Sequence, residues 1–286
     1  MKVAYAFNMA GDQVVLAKNT EHKCIICGAV SAKTVSGDML KCRNCGTMFV
    51  FPETCLDPAK IYHEGYFKGG IYRDYIGEEH VRTKLFEEKF DLVREHLPER
   101  GRLLDVGCAA GFFLKVARDH NYQTYGVEIS QYASNYARDV LKLNVITGNF
   151  LDTHLPERFF DIVTMWDVLE HFSDPLQALT KAREALNKSG TLLVETLNTD
   201  SLAFRIFGRN HPLFAPSYHC VFFNVKTLKR MLDKSGFRAI WEAPIQSYVR
   251  TPRGYRTLRY FKYRLLRGSF GKLFNDVILV AATTCE

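Results

Sequence analysis

The feature that most limits the fold is an alternation of patterns between residues 102 and 196. Apolar runs read as strands at 102–107, 123–128, 144–147, 160–165 and 190–196, and helical spacing fills the gaps at 111–120, 131–141 and 174–187. Strands alternating with helices build a parallel sheet, because each crossover needs a dozen residues or more. The expected fold class is therefore α/β, a doubly wound sheet. A helix at 225–235 and strands at 237–243 and 276–283 continue the pattern. Upstream, Val81, Leu85, Phe86, Phe90, Leu92 and Val93 recur at helical spacing, and Pro98 ends that helix. A chain of 286 residues, 47% apolar and 24% charged, is long enough for one large core and is neither disordered nor a disulfide-stapled miniature.

The first strand–helix junction, Arg102-Leu-Leu-Asp-Val-Gly-Cys-Ala-Ala-Gly-Phe-Phe113, carries two glycines around small residues. Small residues let a ligand approach the backbone, and the helix start offers free amide donors. Tyr125-Gly-Val-Glu128 ends the second strand with an acid that can accept both hydroxyls of a ribose. One glycine fewer than a dinucleotide fingerprint disfavours NAD.

Two cysteine pairs precede this region: Cys24-Ile-Ile-Cys27 and, 14 residues on, Cys42-Arg-Asn-Cys45. Each pair is followed by a glycine, Gly28 or Gly46, which suits a tight turn. Four thiolates at this spacing favour tetrahedral zinc with no open position, hence a structural site. The remaining cysteines, Cys55, Cys108, Cys220 and Cys285, are scattered. The first fifteen residues lack the pattern of an export signal and no stretch is long enough to span a bilayer, so a reducing cytoplasm and no disulfide framework are expected. The expected organisation is a hairpin and zinc ribbon at 1–51, a linker at 52–77 with short turns, and the α/β domain at 78–286.

From about residue 80 onward the sequence resembles the class I S-adenosylmethionine-dependent methyltransferases. The matching pieces stand in the family's order: LLDVGCAAGFF, YGVEIS, ITGNF, FDIVTMWDVLEHF and SGTLLVETLN. The resemblance implies a Rossmann-like sheet of seven strands, the last one antiparallel, and S-adenosylmethionine as cofactor. It implies that Asp105, Gly107 and Gly111 hold the methionine end, that Glu128 takes the ribose hydroxyls and that Ile129 packs on the adenine. Asn149 stands where the family usually has Asp contacting the adenine amino group, and its amide oxygen can accept the same bond. The resemblance further implies that Phe150 supplies a backbone amide to the ring and that Trp166, at the end of the fourth strand, lies beside the cofactor. Ala109 replaces a commoner glycine.

Methyl transfer from a sulfonium is an in-line displacement that needs alignment and exclusion of water, and a hydroxyl or carbon nucleophile also needs a base. The Asn/Asp-Pro-Pro-aromatic turn of base-methylating enzymes is missing after the fourth strand, which points to oxygen or carbon acceptors. His219 is the first candidate base and His171 the second. Asp167, Glu170 and His171 also resemble the divalent-ion cluster of some O-methyltransferases, which makes Mg2+ the least favoured cofactor. The zinc module, the loop IYHEGYF (61–67) and the methyltransferase domain together look like bacterial enzymes that methylate deoxysugar nucleotides. In the C-methylating members a His matching His219 has a Tyr three residues earlier; here that residue is Pro216. Their long C-terminal domain has no counterpart in these residues. O-methylation of a sugar, nucleotide-linked or in a glycan, or of a similar hydroxylated metabolite is therefore the leading expectation.

Residues 244–286 carry six of the seven net positive charges, concentrated in a basic helix expected within about 250–272. Its polar arc reads first as a solvated face; the functional readings are a dock for an anionic acceptor, a peripheral membrane surface or a nucleic-acid patch. RNA methylation, with ribbon and helix gripping phosphates, is the alternative function. A mildly basic ribbon and the missing turn disfavour it. A binding protein on a vestigial cofactor fold is disfavoured by the intact glycine turn and Glu128.

Overall fold

A computed structural model describes residues 5–7, 13–15, 23–36, 39–51, 55–211, 214, 218–245 and 276–285. Strands β1 (Tyr5–Phe7) and β2 (Gln13–Val15) pair as an antiparallel hairpin. Strands β3 (Ala32–Ser36), β4 (Met39–Cys42) and β5 (Met48–Val50) form the ribbon's antiparallel meander. The stretch expected as a linker holds two single-turn helices, α1 (Pro58–Ile61) and α2 (Glu64–Phe67), and then leads into α3 (Glu79–Val93). Asp57 Oδ1 caps α1 and His63 Nδ1 caps α2, which explains how such short turns persist.

The α/β domain follows in order: β6 (Arg102–Val106), α4 (Phe112–Asp119), β7 (Gln123–Glu128), α5 (Gln131–Asn135), β8 (Asn144–Thr147), β9 (Phe160–Trp166), α6 (Pro175–Ala185) and β10 (Leu186–Leu197). Then come α7 (Leu202–Phe207), β11 (Val221–Phe222), α8 (Val225–Lys234), β12 (Phe237–Ile245) and β13 (Val277–Thr284). Seven strands form one sheet in the order β12-β13-β10-β9-β6-β7-β8, and β13 runs antiparallel to both its neighbours. The fold class and the reversed last strand agree with the sequence expectation. Residues 192–197 of β10 are all buried, as a central strand covered on both faces requires.

The helices end where local chemistry ends them. Asp174 caps α6 through Gln177 N, with Pro175 in the first turn where its missing N–H costs nothing. Asn224 and Thr227 form a reciprocal capping box at the start of α8, worth about 1 kcal/mol. Leu228, Met231 and Leu232 of α8 are fully buried.

The ribbon does not stand apart. Strand β11 adds to its edge, Val221 opposite Phe49 and Phe222 opposite Met48, and Val50 N donates to Cys220 O at 2.9 Å. Ile26, Leu40, Phe49, Phe222 and Phe223 belong to the same apolar cluster as Val163, Leu192 and Leu228. Cys55 and Cys220, scattered in sequence, meet as a disulfide with 5.8 Å between Cα atoms. That departs from the thiols expected of a reducing compartment; folding brings together two cysteines that no spacing rule connects. The expected basic helix within 250–272, with Pro216, lies outside the described residues. Among the described residues no helix is long and apolar enough to cross a membrane.

Candidate active site

The carboxyl ends of β6, β7, β8, β9 and β10 share one edge, where open parallel sheets bind ligands. At the end of β6, Asp105 is 2% exposed and accepts a bond from Thr164 Oγ1 at 2.6 Å. Burial pushes its carboxyl up to about 8 despite that bond. The chain then turns through Gly107 at φ +67°, where a Cβ would come within 2.7 Å of Val168 Cγ2, and Ala109 also adopts a positive φ of 47°. Gly111, at φ +80°, caps α4.

Glu128, at the end of β7, closes this loop. Its Oε2 accepts from Ala109 N and its Oε1 from Ser130 N, both at 2.7 Å. Burial raises the carboxyl, opposed by the amides of Ser130, Ala109 and Ile129. With three amides on about four acceptor positions, the carboxylate keeps capacity for an incoming hydroxyl. Ile129 is half-buried beside it, and Gly148 N donates to Glu128 O, which brings the turn after β8 to the same edge. There Asn149 Oδ1 accepts from Leu151 N at 2.9 Å, and the buried Phe150 ring meets Phe172 edge-on. The Trp166 ring turns into the core beneath α3, against Phe113 at 4.8 Å and Phe86 at 6.2 Å. Its Nε1 is buried without a hydrogen-bond partner among the described residues.

The ends of β9 and β10 build a second, more polar region. A 3-10 turn at Leu169–His171 places His171 with Nδ1 2.8 Å from Tyr218 O and 2.9 Å from Tyr62 Oη. A carbonyl only accepts, so Nδ1 of His171 carries the proton to Tyr218. His219 stacks edge-on against His171 with ring centroids 4.8 Å apart, and its Nδ1 is buried without a hydrogen-bond partner among the described residues. Burial, and then the neighbouring His171, lowers His219 to about 3, and burial lowers His171 as well. Both imidazoles are neutral at physiological pH. Glu170, 2% exposed, accepts from Thr196 Oγ1 at 2.9 Å, and burial raises its carboxyl far above the usual range.

Sequence reasoning missed three contributors. Tyr62, Tyr66, Phe67, Tyr72 and Tyr75, all from the supposed linker, meet one another edge-to-face, and the cluster stacks on Phe112 and tilts against Tyr132. Their density in the sequence was the available signal. Lys89 reaches from α3 to pair with Glu195 Oε1 of β10 at 2.6 Å, both buried. Burial pushes Glu195 up to about 7 against the pull of Lys89. Lastly, the cation-binding set differs from the one expected. Glu170 and His171 gather with His219, their ligand atoms within 4.8 Å of one another, whereas Asp167 stands outside that group, exposed and at φ +53°. The chain turns through the left-handed region at Asp167, so the resemblance to the family's cluster carries over to Glu170 and His171 and not to Asp167.

The other gathered set is Cys24, Cys27, Cys42 and Cys45, whose Sγ atoms also lie within 4.8 Å of one another. Gly28 N donates to Cys24 O and Gly46 N to Cys42 O, so the two knuckles turn alike. Four convergent thiols with no fifth group fit a structural zinc ion.

A family model described as a methyltransferase domain matches residues 78–242, more than half the chain. An uncharacterized protein of Methanocaldococcus jannaschii is 34% identical over 119 residues, 42% of this chain and 47% of that one. A ubiquinone biosynthesis O-methyltransferase of Coxiella burnetii is 27% identical over 129 residues, 43% and 53% of the two chains. The chain thus spans about half the length of these curated relatives. Among solved structures, an S-adenosylmethionine-dependent methyltransferase from Archaeoglobus fulgidus superposes with a TM-score of 0.55 at 18% identity, covering 73% of this chain and 99% of that one, which shows the shared fold. With the strand order described above and a family match over more than half its length, the chain belongs to the S-adenosylmethionine-dependent methyltransferases.

Proposed function

We propose that this enzyme methylates an oxygen of a hydroxylated small molecule, with a sugar, nucleotide-linked or in a glycan, as the first acceptor class to test. The observation that carries the reading is the histidine pair at the ends of β9 and β10, His219 edge-on to His171 with its Nδ1 unpartnered among the described residues. An amine acceptor sheds its proton without help once alkylated, whereas a hydroxyl needs a group that takes it. His219, with a buried nitrogen that nothing else occupies, is that group, and His171, tied to Tyr218 O and Tyr62, positions it. The oxygen specificity in the name of the Coxiella burnetii relative supports the same chemistry.

S-adenosylmethionine supplies the methyl from its sulfonium. In this reading Glu128 accepts the ribose hydroxyls, Ile129 packs on the adenine, and Asn149 with the Phe150 amide meets its edge. Asp105, Gly107 and Gly111 hold the methionine end, Trp166 forms the floor under it, and the aromatic cluster of 62–75 keeps water out. The four-cysteine zinc holds the ribbon and takes no part in transfer.

The test is a radiolabelled methyl-transfer screen against nucleotide sugars, glycans, phenols and total RNA, with the product's methylated atom located by NMR. An O-methyl product and a loss of about a hundredfold in kcat for His219→Ala are expected. An acceptor methylated equally well by that variant removes His219 from the reaction. A methyl on carbon, or RNA as the preferred acceptor with a steep salt dependence, sinks the reading.

A further inference from the structure

We propose that Cys55 and Cys220 form a thiol–disulfide exchange site for a glutathione-class thiol, and that the state of this pair sets the position of His171 and His219. The exchange site stands on the cysteines themselves; its effect on turnover rests on the reading of His219 as the base.

Three observations converge on it. The first is where the bridge lies. Cys220 directly follows His219 and leads into β11, and Cys55 lies between β5 and α1, seven residues before Tyr62. Tyr62 Oη stands 2.9 Å from His171 Nδ1, and the His171 ring meets His219 edge-on. The disulfide therefore closes a ring that runs from Cys55 through Tyr62, His171 and His219 to Cys220, and it ties together the two segments around the histidine pair. Its Cα separation of 5.8 Å lies within the usual span of a bridge, so bonding asks for no large movement of the backbone.

The second observation is that the reduced form also has its partners in place. Cys220 Sγ is 3.5 Å from His171 O, and Cys55 Sγ is 3.8 Å from Phe51 O. A bridged sulfur has no proton to donate, whereas each thiol finds an acceptor without moving. Reduction thus exchanges a covalent tie to Cys55 for a hydrogen bond from Cys220 to the turn that carries His171. The third observation is access. Cys220 is buried, but Cys55 is half-buried and is followed by exposed Leu56 and Asp57. One sulfur of the pair can be reached from solvent, and reachable disulfides are the labile ones.

Exchange begins when a glutathione-class thiolate attacks Cys55 Sγ. The bond to Cys220 breaks with its electron pair on Cys220 Sγ, which takes a proton from water. A second such thiolate then frees Cys55 as its thiol. The protein disulfide gains two electrons and two protons, and two small thiols become one small disulfide; oxidation runs the same steps in reverse. The backbone contacts survive in both forms: Cys220 N donates to Glu170 O at 2.8 Å, and Val50 N donates to Cys220 O at 2.9 Å. Reduction therefore loosens the histidines without releasing them. A displacement well under 1 Å is expected to lower kcat about tenfold.

The experiment equilibrates full-length protein with mixtures of reduced and oxidised glutathione. Only protein that retains one zinc per chain and its S-adenosylmethionine affinity is compared. Alkylation and mass spectrometry count the thiols at Cys55 and Cys220, NMR follows the histidine ring signals, and kcat is measured on the acceptor found in the screen. Both cysteines should pass reversibly from protected to alkylated as reduced glutathione rises. The His171 and His219 signals should move in step, and kcat should fall about tenfold. Cys55→Ser should hold the lower kcat at every mixture. Alkylation of both cysteines in every mixture, or protection of both in every mixture, overturns the site. A glutathione response that persists in Cys55→Ser, or exchange with unmoved ring signals, overturns the link to the histidines. Equal kcat in the two forms, with His219→Ala impaired, overturns the control of turnover. Moving ring signals with His219→Ala fully active overturn the base and leave the exchange site standing.

Discussion

Glu128 meets Ala109 across 19 residues of chain, and the cofactor edge from Asp105 to Phe150 is one continuous stretch. His171 meets Tyr62 across 109 residues, Cys55 meets Cys220 across 165, and Lys234 Nζ holds Ile26 O across 208. The proposed cofactor edge is therefore made by local turns on the sheet, and the proposed acceptor region by the docking of distant segments. The two regions should also fail separately, because damage to the docked segments leaves the sheet-borne turns in place.

The hardest test of that separation is removal of zinc. Four thiolates on a small ribbon hold little structure without their ion. The ribbon's β5 pairs with β11, which directly follows His219 and Cys220, so a loosened ribbon releases the histidine. Chelation, or Cys42→Ser, is expected to lower kcat about a hundredfold, the scale of a misplacement near 1 Å. Binding of S-adenosylmethionine, measured by calorimetry, should be unchanged. Simultaneous loss of both would show one cooperative unit and end the comparison.

The reciprocal break is Glu128→Ala. Each hydrogen bond to a charged group contributes roughly 1.5–3 kcal/mol, so cofactor affinity should fall about tenfold to a hundredfold. Metal content at the four cysteines should stay as it was. The cofactor edge also predicts a pH dependence of its own. Asp105 stands at about 8 in the free protein, so it is largely protonated at neutral pH. A bound cationic cofactor favours the ionised form and lowers that value, so binding releases a proton below about pH 8 and affinity rises with pH, by at most about tenfold per unit. Calorimetry in buffers of different ionisation enthalpy reads the proton, and Asp105→Asn should abolish it. In the free protein the folded chain keeps a proton that the unfolded chain loses. The contribution of Asp105 to stability therefore declines as pH rises from about 4 to about 8.

The same division governs what could be read from the sequence. The seven strands, the glycine turn, Glu128 and the cysteine pairs follow periodicity or fixed spacing within their own segments, even where a strand's partner is distant, as β13 is from β10. Strand β11 is two residues long, too short for any period, and its pairing with Met48 and Phe49 has no signature in either segment. Lys89 and Glu195 read singly as charges for solvent; only the packing of α3 on β10 makes them a buried pair. The aromatic residues of 62–75 look like loop because their helices are single turns, and their order comes from rings meeting rings. His219 was visible as a candidate, but its orphaned nitrogen and its approach to Glu170 belong to tertiary structure alone.

The smallest effect expected is at Asn149, where the family's usual acid is replaced by its amide. In this chain the amide oxygen already accepts from Leu151 N at 2.9 Å, which closes the turn after β8 and leaves an NH2 as the second polar group. An adenine amino group arriving there needs an acceptor and finds one oxygen shared with the turn. Asn149→Asp keeps the bond to Leu151 N and offers a second, charged oxygen in place of the NH2. A charge-assisted bond in place of a shared neutral one should add about 1 kcal/mol, a gain of about fivefold in cofactor affinity, measured by calorimetry. Turnover on a saturating cofactor should not move, since the substitution lies within the cofactor edge. A fall in affinity would mean that the NH2 itself donates to the bound ring, and the adenine would then sit with an acceptor nitrogen toward β8.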